Sequence, residues 1–470
     1  MLRVLFLAAA VSACAQALIP EDASQRLRLA MQLAREHNNP ELVREVEQAG
    51  RQIRSGLNAG SEALLQSVEA RVGLDPGGRS MAGQPIFHPT PGMEARLKEL
   101  HADLAAAMRS EDVAKVRSAI SQITETLGSQ AGVPDARRPG RRAQGLLLQE
   151  SEATELFVEA LKSEGSSLRQ LMDGKPLPNQ MLRIHGDILR AVADIFPLAE
   201  KHVPQTLPDL TRLAEGTAKV LLNLQQPDGH FPFPDLRGKN IRFGAMIERA
   251  VATGRAEVRE GWLISPDPDG GSQFDTGVCG TALLRAGKVF HQESWLAAGL
   301  RAADWAAGQK CCANFNYNAF SISLLAEAWR VTRLEPYRAA ALKKFRLGLA
   351  PGQAANGRWL DPHNARTVYH VIILRALGDL ASIVGEERDE VDRVTQPAVQ
   401  ALLDEFDAMG ITVEALPELL RLSQLYASDL RLKAAVQSMA SSLVEKCRVE
   451  GRRPRMGAQP NQLAVLPQVR

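Results

Sequence analysis

Apolar residues recur every three and four positions along most of this chain, the period of an amphipathic helix. Leu42, Val46, Ala49, Ile53 and Leu57 form one such stripe and Val113, Val116, Ile120, Ile123 and Leu127 another, with charged residues between them. The stripes predict antiparallel helices of a small bundle or coiled coil over 21–127, broken at Asn38-Asn39-Pro40 and between Asp75 and Gly92, where Pro and Gly cluster. Residues 128–144, with Pro134, Pro139 and arginines at 137, 138, 141 and 142, read as a basic linker. Its charge run is most simply solvated; weak adhesion to anionic polymer or lipid head groups is the other reading.

Beyond the linker the helical stretches pair. Residues 182–202 go with 205–226, 274–290 with 294–309, 317–332 with 335–349, 363–384 with 387–409, and 413–428 with 429–447. A sixth, distorted pair is expected in 229–265, around one helix at 241–253. Loops rich in Asp, Asn and Gly punctuate these pairs: Gln226-Pro227-Asp228-Gly229, Asp267-Pro268-Asp269-Gly270-Gly271, Asn314-Phe315-Asn316-Tyr317-Asn318 and Asn356-Gly357-Arg358-Trp359. They recur at roughly 40 to 45 residues, a period that signals stacked supersecondary units. The expectation is an all-α chain: the N-terminal module, then a ring of hairpins over 145–450 with its loops gathered on one rim. Residues 451–470 are read as a disordered tail.

Those hairpins, with phrases such as Asp228-Gly229-His230-Phe231-Pro232 and Gln273-Phe274-Asp275-Thr276-Gly277, resemble the (α/α)6 toroids, which include six-hairpin glycosidases and several polysaccharide lyases. Similar turn phrases occur in terpenoid-cyclase-like toroids, so they specify architecture better than activity. The resemblance implies a polysaccharide or oligosaccharide as partner.

The formal charge of +2 gives no reason to invoke nucleic acid. At the start, Arg3, an apolar stretch at 4–11 and small residues thereafter make 1–17 an export signal, hence a secreted or periplasmic protein. Ala15-Gln16-Ala17 fits ordinary cleavage; Val11-Ser12-Ala13-Cys14 resembles a lipobox, which would anchor Cys14 by lipid. No later segment is apolar enough to span a bilayer. Cys279, Cys311, Cys312 and Cys447 match no zinc spacing, and in an oxidising compartment one of the adjacent pair would be able to bridge to Cys279 or Cys447. Nucleotide-binding and metalloprotease motifs are missing from the sequence, so no cofactor or metal is expected.

Candidate chemistry concentrates in 361–370. On one continuous helix His363, Arg366 and His370 share a face with Tyr369 beside it, and Asn316, Tyr317 and Asn318 open the neighbouring repeat. This inventory resembles that of toroidal lyases acting on uronic acids by β-elimination. There Arg366 and Asn316 would neutralise the sugar carboxylate, while His363, Tyr369 or His370 would move protons. Asp361-Pro362 is by itself a helix start. Asp275, at the head of an inner helix, is the candidate for the rival chemistry, glycoside hydrolysis by paired carboxylates. Trp262 and Trp359 beside Gly-rich loops are candidate sugar platforms, and His230 a candidate ligand contact; loop packing explains all three equally well. The alternative to an enzyme is a non-catalytic envelope protein binding glycan or a protein partner through the rim, with self-association through the N-terminal helices.

Overall fold

The computed structural model describes residues 40–55, 59–71, 90–134, 147–163, 165–239, 241–265, 271–409, 413–449 and 460–469, with scattered positions before residue 90. The export signal with Cys14, the arginines at 137–142 and the Asp267–Gly270 part of the second loop lie outside these residues.

The chain is all-α, a ring of inner and outer helices preceded by two helical hairpins. Among the helices whose bounds are described, α1 (Pro40–Ser55) and α2 (Ala59–Arg71) come first, then a two-residue strand pair, β1 (Leu74–Asp75) and β2 (Arg79–Ser80). Next are α3 (Pro91–Ser110), α4 (Val113–Leu127), α5 (Glu150–Ser163) and α6 (Ser166–Met172). The inner ring is built from α7 (Leu182–His202), α10 (Ser272–Val289), α12 (Phe315–Thr332), α15 (Thr367–Ala381) and α17 (Leu416–Leu425). Each packs against the outer helix that follows it: α8 (Leu207–Leu224), α11 (Glu293–Gly308), α13 (Glu335–Gly348), α16 (Arg388–Met409) and α18 (Leu430–Val449). These are the five clear pairs the periodicity predicts.

The sixth pair is a correction. Residues 229–265 form a small satellite instead: strands β3 (Phe233–Pro234), β5 (Trp262–Ile264) and β4 (Glu257–Arg259), in that spatial order, with α9 (Ile241–Ala252) against them around Leu236, Ile247 and Leu263. The ring is closed by α19 (Pro460–Val465), which sits between α17 and α7, with α5 behind it. Asn461 donates from Nδ2 to Asp187 of α7 at 2.8 Å, and Leu463, Ala464 and Leu466 are buried. Residues 460–469 are therefore structural, not part of a disordered tail.

The N-terminal module also divides. α1 and α2 keep a small core of their own around Leu42, Val46 and Val68. The α3–α4 hairpin instead contributes Leu97, Leu100, Leu104, Met108, Val116, Ile123 and Leu127 to the toroid core. Gly132 donates its N–H to Leu360 O at 3.1 Å, Asn356 donates to Gly132 O at 3.2 Å, and Glu111 pairs with Lys310 and Lys343. The hairpin thus lies over the loops that precede α12 and α15, the rim expected to be open.

Two of the repeated loops are built alike. Gln225 Nε2 reaches Gly229 O at 3.0 Å and Ala298 O at 2.8 Å; Gln353 Nε2 reaches Gly357 O at 3.2 Å and Val394 O at 2.8 Å. In each, an Asp or Asn side chain, Asp228 or Asn356, accepts the N–H two residues on. Gly229 and Gly357 have φ of +102° and +79°, and a Cβ at either would strike a carbonyl of the next outer helix at 2.2 or 2.3 Å. The repeat is a clamp between successive hairpins.

Candidate functional site

The polar rim residues separate once the backbone is followed. Asp361 caps a four-residue helix α14 (Pro362–Ala365), accepting the Asn364 N–H at 2.9 Å. Arg366 then takes an extended ψ of 141°, and α15 starts anew at Thr367. The single helix expected over 363–384 is broken there, so His363 and His370 do not share a face. His363, Arg366 and Tyr369 still gather: Arg366 donates to His363 Nδ1, the His363 and Tyr369 rings are 4.0 Å apart, and the guanidinium lies 4.9 Å over Tyr369.

His370 turns the other way. Fully buried, it donates from Nε2 to Ala398 O of α16 at 2.8 Å and packs its ring 5.5 Å from Trp359. Burial, reinforced by nearby Arg358, holds its pKa well below the usual histidine range. Trp359 is fully buried as well and gives its indole N–H to Leu349 O at 3.0 Å, so it is no platform. Asn316, also fully buried, donates its backbone and side-chain N–H groups to Asn364 Oδ1 at 3.1 and 2.9 Å, tying α12 to α14. Asn318 accepts from Cys312 N–H at 3.1 Å and donates to Cys312 O and Gly348 O at 2.8 and 2.7 Å. These residues occupy separate packed layers, not one open cleft.

The remaining candidates are likewise engaged. Tyr317 is half-buried, 6.4 Å from Phe274, whose ring stacks on Phe320 at 3.9 Å. Asp275 is buried, accepts Arg183 N–H at 3.1 Å and pairs with the Arg183 guanidinium at 3.1 Å, joining α7 to α10. Burial raises its pKa against the pull of Arg183. Trp262 is half-buried in β5, and His230 is held by Asp228 Oδ1 at 2.6 Å with its ring 5.8 Å from Trp305. No disulfide forms among the described residues: Cys279, Cys311 and Cys312 are buried and Cys447 is half-buried.

The concave space lies elsewhere, inside the ring. A cavity of about 440 Å³ runs between the inner helices, mainly along their later turns. Five of its walls each present one arginine: Arg190 from α7, Arg285 from α10, Arg330 from α12, Arg375 from α15 and Arg421 from α17. Asp194, Glu327, Asp379 and Glu418 stand among them, with Lys288 at the edge. Arg285 meets Glu327 at 3.3 Å and Asp194 at 3.5 Å; Arg330 meets Glu327 at 2.7 Å and Asp379 at 3.2 Å. Arg421 also pairs with Asp379, and Arg375 Nε donates to Glu418 at 2.7 Å. Burial alone would raise the carboxyls of Glu327 and Asp379, but Arg285 and Arg330 for the first, and Arg421, Arg330 and Arg285 for the second, hold both below the usual range. A groove of about 420 Å³ on the outside, along α13, is crossed by the Arg338–Glu387 pair at 2.7 Å and belongs to the seam with α4.

None of these arginines was among the candidates the sequence offered. A signal was present: Arg285, Arg330, Arg375 and Arg421 recur at steps of 45, 45 and 46 residues. Three of them, and Arg190, also carry an acid three or four residues away: Arg190 with Asp194, Glu327 with Arg330, Arg375 with Asp379, and Glu418 with Arg421. Among the described residues no group of His, Cys, Asp and Glu is arranged to hold a metal, and no helix is long and apolar enough to cross a membrane.

No family model matches the chain, and neither does any curated protein. Among solved structures it is similar to a family 76 glycoside hydrolase from a bovine Bacteroides thetaiotaomicron strain, with a TM-score of 0.47 and 10% identity over 68% of this chain and 77% of that one. It is also similar to a cellobiose 2-epimerase from Spirochaeta thermophila, with a TM-score of 0.42 and 9% identity over 67% and 96% of the two chains. A Clostridium acetobutylicum family 105 glycoside hydrolase gives a TM-score of 0.40 and 10% identity over 62% and 82%.

Proposed function

We propose that this chain is an exported glycan-binding toroid that takes part of a saccharide into its charged central cavity. The observation that carries this reading is the arginine ring, five guanidiniums interleaved with four carboxylates around one solvent-reached space. Alternating fork donors and paired acceptors suit the vicinal hydroxyls of sugars, Phe320 adds an apolar surface, and the volume falls within the range of small-ligand sites.

Binding is favoured over hydrolysis. Every carboxylate of the lining is paired with an arginine, Asp194 and Glu327 with Arg285, Asp379 with Arg330 and Arg421, and Glu418 with Arg375, whereas paired-carboxylate hydrolysis needs one that carries a proton. Elimination at the rim loses two of its residues, since Asn316 and His370 are fully buried in different layers, while His363, Arg366 and Tyr369 remain together. Export rests on residues 1–17 and is tested by sequencing the mature N-terminus.

The test of the cavity is calorimetry of the purified chain against a panel of oligosaccharides, with Gln424→Trp as the blocking variant. Gln424 is exposed at the cavity edge, so the bulky ring obstructs entry without disturbing packing. Loss of binding in this variant with unchanged circular dichroism is the expected result. Undiminished binding places the ligand elsewhere, and new reducing ends or ultraviolet-absorbing product would make the chain an enzyme.

A further inference from the structure

Among the residues that line the cavity, two carry a buried side-chain atom with no hydrogen-bond partner, and the two atoms are chemically opposite. One is a donor, Nε of Arg190; the other an acceptor, Oε2 of Glu418. Arg190 is 7% exposed and Glu418 3%, so water does little for either. A buried donor or acceptor left unsatisfied is costly, more so when it belongs to a charged group.

The charges around Arg190 make its isolation sharper. Asp194, one turn along the same helix, approaches only to 3.7 Å. Across the cavity Arg285 and Arg375 oppose it, while Glu418 attracts it but gives its other oxygen to Arg375. Burial first, then those two arginines, draw the Arg190 pKa down to about 10. Six cationic side chains line the cavity against four carboxylates, which leaves an excess of two positive charges. Asp187 stands outside the lining, where Arg375 feels its field and Asn461 donates to it.

We infer that the ligand is an acidic sugar, its carboxylate seated on the Arg190 guanidinium and a neighbouring hydroxyl donating to Glu418 Oε2. A carboxylate matches the guanidinium fork, and a hydroxyl satisfies the orphan acceptor beside it. A bare anion satisfies only the first of these atoms, and a neutral sugar leaves the excess charge in place; a sugar acid answers both. This assignment rests on the reading that the cavity takes a saccharide.

The experiment compares uronate oligosaccharides with their carboxyl-reduced, neutral counterparts, and with acetate and sulfate, by calorimetry on the full chain. The expected result is that the acidic oligomer binds wild type about ten- to a hundredfold more tightly than the neutral one, the range of one charge-assisted contact, and that Arg190→Gln erases the difference. Arg190→Lys should keep part of it, having the charge without the fork. Without ligand, Arg190→Gln should unfold at a higher urea concentration than wild type, because it relieves repulsion; a merely structural arginine would give the reverse. Equal affinity for acidic and neutral oligomers, unchanged in Arg190→Gln, overturns the acidic assignment and leaves the saccharide cavity standing. Binding of acetate or sulfate with no oligomer bound overturns the sugar reading itself.

Discussion

Replacing Asp379 by Asn removes the hub of the arginine ring while keeping its shape. Asp379 is 2% exposed and neutralises two guanidiniums: Arg330, with Nη2 at 3.2 Å, and Arg421. Breaking a buried ion pair by deleting one partner costs about 3–5 kcal/mol, most of it the charge left behind. The residual charge is cushioned here. Arg330 retains Glu327 at 2.7 Å and Ser382 Oγ at 2.6 Å, and the Arg330 and Arg421 side chains are 20% and 26% exposed. The expectation is therefore the lower end, about 3 kcal/mol, borne chiefly by Arg421. Urea denaturation followed by circular dichroism at pH 7 measures it, urea being preferable to a denaturing salt that would screen the charges. The double variant Asp379→Asn with Arg421→Gln should recover part of the loss, since neither charge is then stranded. The pH dependence has a definite sign: the folded-state pKa of Asp379 is depressed, so its stabilisation is present above the unfolded carboxyl value of about 3.9 and fades as pH falls below it. The gap between wild type and variant should be widest near neutrality and narrow in acid. A cost under about 1 kcal/mol at pH 7, well short of the range for a broken buried pair, or a double variant that is simply additive, would refute the account of the ring as a coupled network.

Asn318→Ala should cost about 1–3 kcal/mol, because the Cys312 and Gly348 carbonyls lose their donors inside the protein; a neutral result by urea midpoint would mean that water reaches them. Gly357→Ala should destabilise by about 1–3 kcal/mol, since φ is +79° and the new methyl would meet Pro397 O at 2.3 Å. A thermal melt unchanged by that substitution would contradict the clamp. Cys279, fully buried with its thiol pushed well above the ordinary range by that burial, should resist iodoacetamide in the native chain and react only on unfolding. Peptide mass spectrometry reads this, and rapid native labelling would show that α10 opens.

The helical repeat was legible because each helix records its own burial as a local period. Val113, Val116, Ile120, Ile123 and Leu127 announce α4 without help from the rest of the chain. What was not legible depends on distant partners. Nothing near Pro460 says that it meets α7, and the distorted pair expected in 229–265, around one helix at 241–253, looked sufficient to finish the ring. The rim was misplaced for a local reason as well: the extended ψ at Arg366 turns His370 away from His363, and a helical wheel drawn through that position puts them on one face. Asn316, His370 and Trp359 looked chemical because polar and aromatic residues near Gly loops suggest ligands. In this chain they satisfy backbone groups and fill space where successive hairpins are clamped. The arginine ring, conversely, looked ordinary because single charges on helices usually face water; only their 45-residue recurrence sets them apart.

Closure of the ring by residues 460–469 has a consequence for how the molecule comes into being. Asn461 and its partner Asp187 are 274 residues apart, and at synthesis rates of about 5–20 residues per second that gap lasts roughly 15–55 s. Until residue 460 is made, α7 lacks its neighbour on that flank, and once α17 has been made the nascent chain is a horseshoe with one flank of α17 uncovered as well. Val465 and Gln468 are themselves part of the cavity wall, so the lumen does not exist until translation has passed them. A chain stopped before residue 460 would keep most of its helices by circular dichroism yet expose sticky apolar flanks and bind no ligand, and occupancy of the lumen would mark a chain that includes residues 460–469.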